Sequence, residues 1–160
     1  MNIITRRDLL ITSGVAAGVA TGLLSAGAGD GEAARQLKIV VAGGHPGDPE
    51  AACGGTMARL ADSGHEAVAL YVTQGEKGVK GKTAKEAAAI RSGEAREACA
   101  ILKARVLLFD QADENTEINA DRYDEFRKLL EAEKPHAVFT HWPIDAHRDH
   151  RVCSLLAYDA

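Results

Sequence analysis

Cysteine is scarce in this chain of 160 residues, and the three present, Cys53, Cys99 and Cys153, form no CxxC pair and leave an odd count. That excludes a disulfide framework and a zinc–thiolate site, and leaves the thiols to be read as small buried apolar groups. Positive charge is also in short supply. The formal net charge is -4 and aromatic residues make up 4% of the chain. No run of Lys and Arg with interleaved aromatics occurs, so a nucleic-acid partner is not expected. Beyond residue 34 there is no internal repeat and no low-complexity segment. What is there, 46% hydrophobic and 26% charged residues, is the composition of one globular domain with its own core.

Residues 1–34 read differently. Thr5-Arg6-Arg7-Asp8-Leu9-Leu10 precedes a short Gly- and Ala-rich apolar stretch, Ile11 to Leu24, and then small residues such as Ala26-Gly27-Ala28. A charged start, a short apolar core and a small-residue cleavage zone describe an export signal, and the paired arginines point to the twin-arginine route. The apolar core falls short of the about 20 residues a membrane span needs, so no stable membrane anchor is expected once the signal is cut. Residues 1–34 are therefore assigned to a twin-arginine-type export signal and 35–160 to the folded domain. The mature protein is expected in the periplasm or outside the cell.

Within the domain, four short apolar runs, 37–42, 67–73, 105–109 and 136–141, have the pattern of strands buried on both faces. Helical spacing falls between them. It is carried by Met57, Leu60 and Ala61 in 53–63, by Ile90, Glu94, Ala98 and Leu102 in 83–103, and by Phe126, Leu129, Leu130 and Glu133 in 121–133. Val152, Leu155, Leu156 and Asp159 begin one more helix. Strands alternating with helices predict an α/β fold, a Rossmann-like three-layer α/β/α domain with a mainly parallel sheet. An unfinished last helix and an open sheet edge predict that the domain is truncated at its carboxyl end.

Two polar clusters follow strands. The first is Gly43-Gly44-His45-Pro46-Gly47-Asp48-Pro49-Glu50 and the second His147-Arg148-Asp149-His150. In an open α/β sheet both would lie at the carboxyl edge, where ligands bind. Catalytic zinc sites take three protein ligands from His and Asp/Glu and leave the fourth position to water; His45, Asp48 and His150 would supply such a set. Pro46 stiffens the turn after His45, and Pro49 biases Asp48 towards an extended backbone. Taken alone, His45 and Asp48 read equally well as a loop histidine and a helix-capping aspartate. The second cluster favours a metal, because Asp149 is available to orient a ligating imidazole. A dinucleotide site fits poorly: the glycine loop is not GxGxxG, and Pro46 removes a backbone donor that phosphate would need.

Together the two clusters resemble the motifs of the LmbE/PIG-L family of zinc-dependent N-acetylglucosaminyl de-N-acetylases, His-Pro-Asp-Asp-x-Glu and His-x-Asp-His. His45, Pro46, Asp48 and Glu50 match the first, and His147, Asp149 and His150 the second. The likeness extends to Cys53-Gly54-Gly55-Thr56, the Thr73-x-Gly75-Glu76-x-Gly78 turn, Arg91 with Glu94, and Pro143-x-Asp145. It runs from about Ile39 to the last residue, and members of the family continue beyond that point. The resemblance implies hydrolysis of the acetamide of an N-acetylated amino sugar or related amide, with Zn2+ as cofactor and a small-molecule amino-sugar conjugate as partner. It implies zinc held by His45, Asp48 and His150, with His147 stabilising the oxyanion or protonating the amine. Asp149 would then orient a histidine and Arg91 touch substrate. Arg91 reads equally as a helix-surface residue paired with Glu94 three positions on.

Gly47 departs from the family pattern, since it stands where the family has the aspartate that acts as general base. Asp145 is the nearest substitute, with Glu50 and Glu76 also available. If the lost carboxylate limits catalysis, Gly47→Asp is expected to raise turnover by roughly ten- to a thousandfold. The alternative is a metal-stabilised carbohydrate-binding protein with impaired catalysis.

Overall fold

The computed structural model describes residues 35–160, and the export signal expected in 1–34 lies outside the described residues. Four strands and four helices alternate: β1 Lys38–Gly43, α1 Asp48–Asp62, β2 Glu66–Thr73, α2 Ala84–Ile101, β3 Arg105–Gln111, α3 Ala120–Glu133, β4 Ala137–Phe139 and α4 Arg148–Asp159. The sheet has the order β3-β2-β1-β4, and all three pairings are parallel. No helix among the described residues is long and apolar enough to cross a membrane.

The continuous apolar strands find their reason in two separate cores. Val40, Ala42, Val68, Leu70, Val72 and Phe109 pack on Phe126 and Leu130 of α3 and on Val152, Cys153 and Leu156 of α4. The alternate residues Ile39, Val41, Ala67, Ala69 and Tyr71 pack on Met57 of α1 and on Ala95 and Cys99 of α2. Strands β1, β2 and β3 thus feed both faces, the α/β/α arrangement that the absence of polar alternation predicts, whereas β4, expected to be buried on both faces, gives only Val138 to the first core and leaves Phe139 41% exposed at the sheet edge.

Three boundaries differ from the sequence expectation, and each moves a residue of the candidate site. Helix α1 starts at Asp48 rather than near residue 53, with Gly47 as its N-cap at φ 105° and Pro49 in its first turn. A proline there forfeits only an N–H that has no partner inside the helix, so Pro49 starts the helix instead of holding Asp48 extended. Glu50 secures the start by accepting the Gly47 N–H at 3.1 Å. Strand β4 keeps only three residues, which releases Thr140 and His141 into the loop above the sheet. Helix α4 begins at Arg148, capped by His147, whose Nδ1 accepts the Asp149 N–H at 3.2 Å.

Candidate metal centre

With the order β3-β2-β1-β4, the direction of winding reverses between β1 and β4, and ligands of open α/β sheets bind at such a switch point. The loop leaving β1 brings His45 and Asp48 there; the segment leaving β4 brings His141, Asp145, His147, Asp149 and His150. Asp48 Oδ2 is their common neighbour. It lies 3.3 Å from His45 Nδ1, 3.2 Å from His150 Nε2 and 3.4 Å from His141 Nε2, and it also accepts the His45 backbone N–H at 2.7 Å.

Behind His45 stand two carboxylates. Its Nε2 is 3.2 Å from Asp149 Oδ2 and 3.1 Å from Asp113 Oδ1. Asp149 is fully buried and otherwise satisfied, since Oδ1 accepts the Thr116 hydroxyl at 2.6 Å and Oδ2 the Glu114 N–H at 2.8 Å. Asp113 accepts the Lys77 N–H at 2.9 Å. Behind His150, Asp145 Oδ1 lies 3.2 Å from Nδ1 and also accepts the His147 N–H at 2.7 Å. Three sets of donors could each approach one cation, with ligand atoms mutually within 4.8 Å: His45, His147 and His150; Asp48, His141 and His150; and His45, Asp113 and Asp149.

Electrostatics follow from this crowding. Burial works against the His45 imidazolium, but the hydrogen bond and charge of Asp48, with Asp113 and Asp149 behind, raise its pKa to about 9. Burial likewise works against the Asp48 carboxylate, yet the His141 and His45 rings beside it hold it well below the usual range. Burial together with the adjacent His141 lowers His150, against the pull of Asp48 and Asp145.

Arg91 is paired as a helix-surface residue would be and has a second partner within the chain. It pairs with Glu94 and also donates through Nη2 to the Pro46 carbonyl, tying α2 to the His45 loop. Gly75 packs on Arg91 and Pro46, so the turn after β2 closes the same corner. A Cβ at Gly47 would sit 3.3 Å from Arg91 Nη2. Among the carboxylates weighed as replacement bases, Glu50 has both oxygens occupied, one by the Tyr71 hydroxyl at 2.6 Å and one by the Gly47 N–H. Glu76, by contrast, keeps Oε2 buried without a hydrogen-bond partner.

Sequence reading misses His141 and Asp113. The apolar run 136–141 takes His141 into a strand that in fact ends two residues earlier. Asp113 sits just past β3, and the rule that ligands gather at carboxyl strand ends is the one signal that could have flagged it.

Residues 40–160 match the family model PIG-L, described as GlcNAc-PI de-N-acetylase. No curated protein sequence matches the chain significantly. Among solved structures, N,N'-diacetylchitobiose deacetylase from Pyrococcus horikoshii is 28% identical with a TM-score of 0.71, over 75% of this chain and 47% of that one. The conserved protein TT1542 from Thermus thermophilus is 30% identical with a TM-score of 0.69, over 78% of this chain and 55% of that one. GalB, a 4-carboxy-2-hydroxymuconate hydratase from Pseudomonas putida, has a TM-score of 0.72 at 24% identity over 78% and 55%, a likeness of fold alone. This chain spans about half the length of these structures. The sheet order, the paired histidine loops and a family match running through every strand but the first residues of β1 agree: the chain belongs to the PIG-L (LmbE-like) family.

Proposed function

We propose that this chain is a zinc-dependent de-N-acetylase that hydrolyses the acetamide of an N-acetylated amino sugar or a related amide. The observation that carries the proposal is the ring of imidazole nitrogens around Asp48 Oδ2. Donors on a tetrahedral zinc with bonds of about 2.0–2.2 Å stand about 3.3–3.6 Å apart. Asp48 Oδ2 lies 3.3 Å from His45 Nδ1 and 3.2 Å from His150 Nε2. With Nε2–H directed at Asp149 and Asp113, the Nδ1 lone pair of His45 faces a carboxylate oxygen. Two electron-rich atoms that close need a proton or a cation between them. A proton shared with Asp48 can serve, and His45, Asp48 and His150 are the residues that would hold zinc in its place.

Bound there, zinc would supply a Lewis acid for the acetamide carbonyl and bring the pKa of a water ligand down to about 7. The chain's own residues do the rest. Because His147 Nδ1 accepts the Asp149 N–H, the proton of the neutral ring sits on Nε2, and that N–H donates to the carbonyl oxygen as it gains charge. Asp149 and Asp113 orient His45, and Asp145 orients His150 from behind. That placement makes Asp145 a positioning residue and leaves Glu76, with its buried and unpartnered Oε2, as the carboxylate of the adjoining loop that would serve as base and take the proton of the attacking water. Its loop lies between Gly75, packed on Pro46, and Lys77, bonded to Asp113. The same proton then passes to the amine nitrogen as the C–N bond breaks, releasing acetate. Arg91 fixes the Pro46 carbonyl and keeps further N–H groups for substrate. The proposal places this reaction outside the cytoplasm, on the strength of the twin arginines.

Zinc content and acetate release from N-acetylglucosamine conjugates test it. One zinc per chain is expected, with acetate release abolished by chelation and restored by zinc. Absence of bound zinc would sink the proposal. Zinc with sugar binding but no acetate would favour the second reading, a metal-stabilised carbohydrate-binding protein, which rests on the glycine at position 47.

A further inference from the structure

We propose that His141 is a positioning residue of the metal centre, holding the His150 ring by stacking and the Gly44–His45 backbone by a hydrogen bond. The inference rests on the zinc reading for its purpose, while its two contacts are geometric facts of the chain. The ladder of β4 ends at Phe139, and the next two residues carry the chain over the mouth of the sheet. There the His141 ring lies parallel to that of His150, with centroids 3.8 Å apart and planes 4° apart. Its Nε2 accepts the Gly44 N–H at 3.1 Å. Gly44 is pressed against the same pair: a Cβ there would meet His150 Cδ2 at 2.9 Å, so only glycine lets the backbone come this near. One side chain thus ties the two halves of the site together, His45 from β1 and His150 from α4.

A ligand role for His141 is the obvious rival, since Asp48, His141 and His150 form one of the compact donor sets. Two facts of geometry decide against it. Imidazole nitrogen has one in-plane lone pair, and on Nε2 of His141 the shorter contact, the Gly44 N–H at 3.1 Å, takes it ahead of Asp48 Oδ2 at 3.4 Å. Further, the His141 and His150 rings are parallel with centroids 3.8 Å apart, so their in-plane lone pairs are not aimed at one point, and a metal that His150 would hold is not one His141 would share. His141 therefore orients and does not coordinate. The two contacts are separable by substitution: phenylalanine keeps the stack without the acceptor, and glutamine keeps an acceptor without the stack.

The test uses the full chain, Co2+ as a visible stand-in for zinc, and NMR of the metal-free protein. His141→Ala should weaken Co2+ binding by about ten- to a hundredfold, the range for groups that orient a ligand, while the visible band keeps its shape. His141→Phe and His141→Gln should each recover part of the affinity. Without metal, the His150 ring protons should lose their upfield stacking shift in the Ala and Gln variants and keep one in Phe. The Gly44 amide should exchange faster in Ala and Phe and stay protected in Gln. Wild-type affinity in His141→Ala would overturn the proposal, and so would a band altered as in His150→Ala, which would make His141 a ligand. If the wild-type chain binds no Co2+, the zinc reading fails. The ring shift and Gly44 exchange then still decide whether His141 positions His150 and Gly44.

Discussion

At opposite ends of the same strands the domain carries two charged clusters of unlike design. At the amino end, Lys38 Nζ lies 3.1 Å from Glu66 Oε2 and 3.4 Å from Glu133 Oε2. Arg105 reaches the same two carboxylates, Glu66 at 2.9 Å and Glu133. Two cations meet two anions, and the cluster is complete in itself. At the carboxyl end, Asp48, Asp113, Asp145 and Asp149 gather around His45, His147 and His150, and no Lys or Arg side chain pairs with any of these four carboxylates among the described residues. Their charge is met by imidazole, the Thr116 hydroxyl and backbone N–H groups. Matched charges with flexible, half-exposed cations make a stability element of modest worth. Unmatched carboxylates held rigidly by backbone donors make a place that attracts a cation, which is the physical content of the metal proposal.

The contrast can be tested from its strongest point downward. His150→Ala and Asp48→Ala should each cost more than a hundredfold in zinc affinity, beyond the about 10–100-fold typical of orienting partners, whereas His147→Ala should keep the metal and lose turnover. Metal content after dialysis reads this, and equal loss in all three variants would mean that His147 is a ligand. Asp149→Asn comes next. Either orientation of the new amide turns an N–H towards the Thr116 hydroxyl or the Glu114 amide, so zinc affinity should fall by about 10–100-fold and stability by about 1–3 kcal/mol in urea titration. Wild-type metal affinity in Asp149→Asn would remove Asp149 from the support of His45.

Gly47→Asp should change acetate release less than the sequence leads one to expect. At φ 105° an L-residue is strained by about 1–3 kcal/mol, and the new carboxylate meets Arg91 rather than the Asp48 corner. Acetate release is expected to stay short of the roughly hundredfold gain a positioned base gives; a full gain would show that the loop rearranges. The least effect belongs to the amino end. The Arg105 guanidinium beside Glu133, outweighing burial, holds its carboxyl below the usual value. That stabilisation is complete above the unfolded-state pKa of about 4.3 and fades as pH falls through the lower folded value. Glu133→Gln should therefore cost at most about 1 kcal/mol near neutrality, flatten the acid limb of the stability curve and leave zinc affinity unchanged.

Much of this arrangement is legible in the residues. Both-face burial of β1, β2 and β3, the parallel sheet and the placing of His45, Asp48 and His150 at one edge follow from apolar runs and loop position. What escapes is the part that depends on where an element stops. Pro49 reads as holding Asp48 extended unless the first turn is known to begin at Asp48, and His141 reads as a strand residue until β4 proves to be three residues long. Asp113 is invisible because a lone aspartate after a strand has no pattern; only the fold brings it to His45. The backbone twist at Gly47 is equally hidden, and it is what changes the forecast for aspartate there.

The pairing of β1 with β4, Ile39 opposite Ala137, has a kinetic consequence. The centre is divided between the first and the last described elements, separated by about a hundred residues, so no local segment can assemble it alone. Such long-range closure comes late and slowly in folding. Half of the donors would stay apart until β4 and α4 dock, and a partly folded chain would hold a metal weakly. The onset of tight metal binding in a refolding experiment should accordingly coincide with burial of Val152 and Leu156, and metal capture becomes a clock for completion of the sheet.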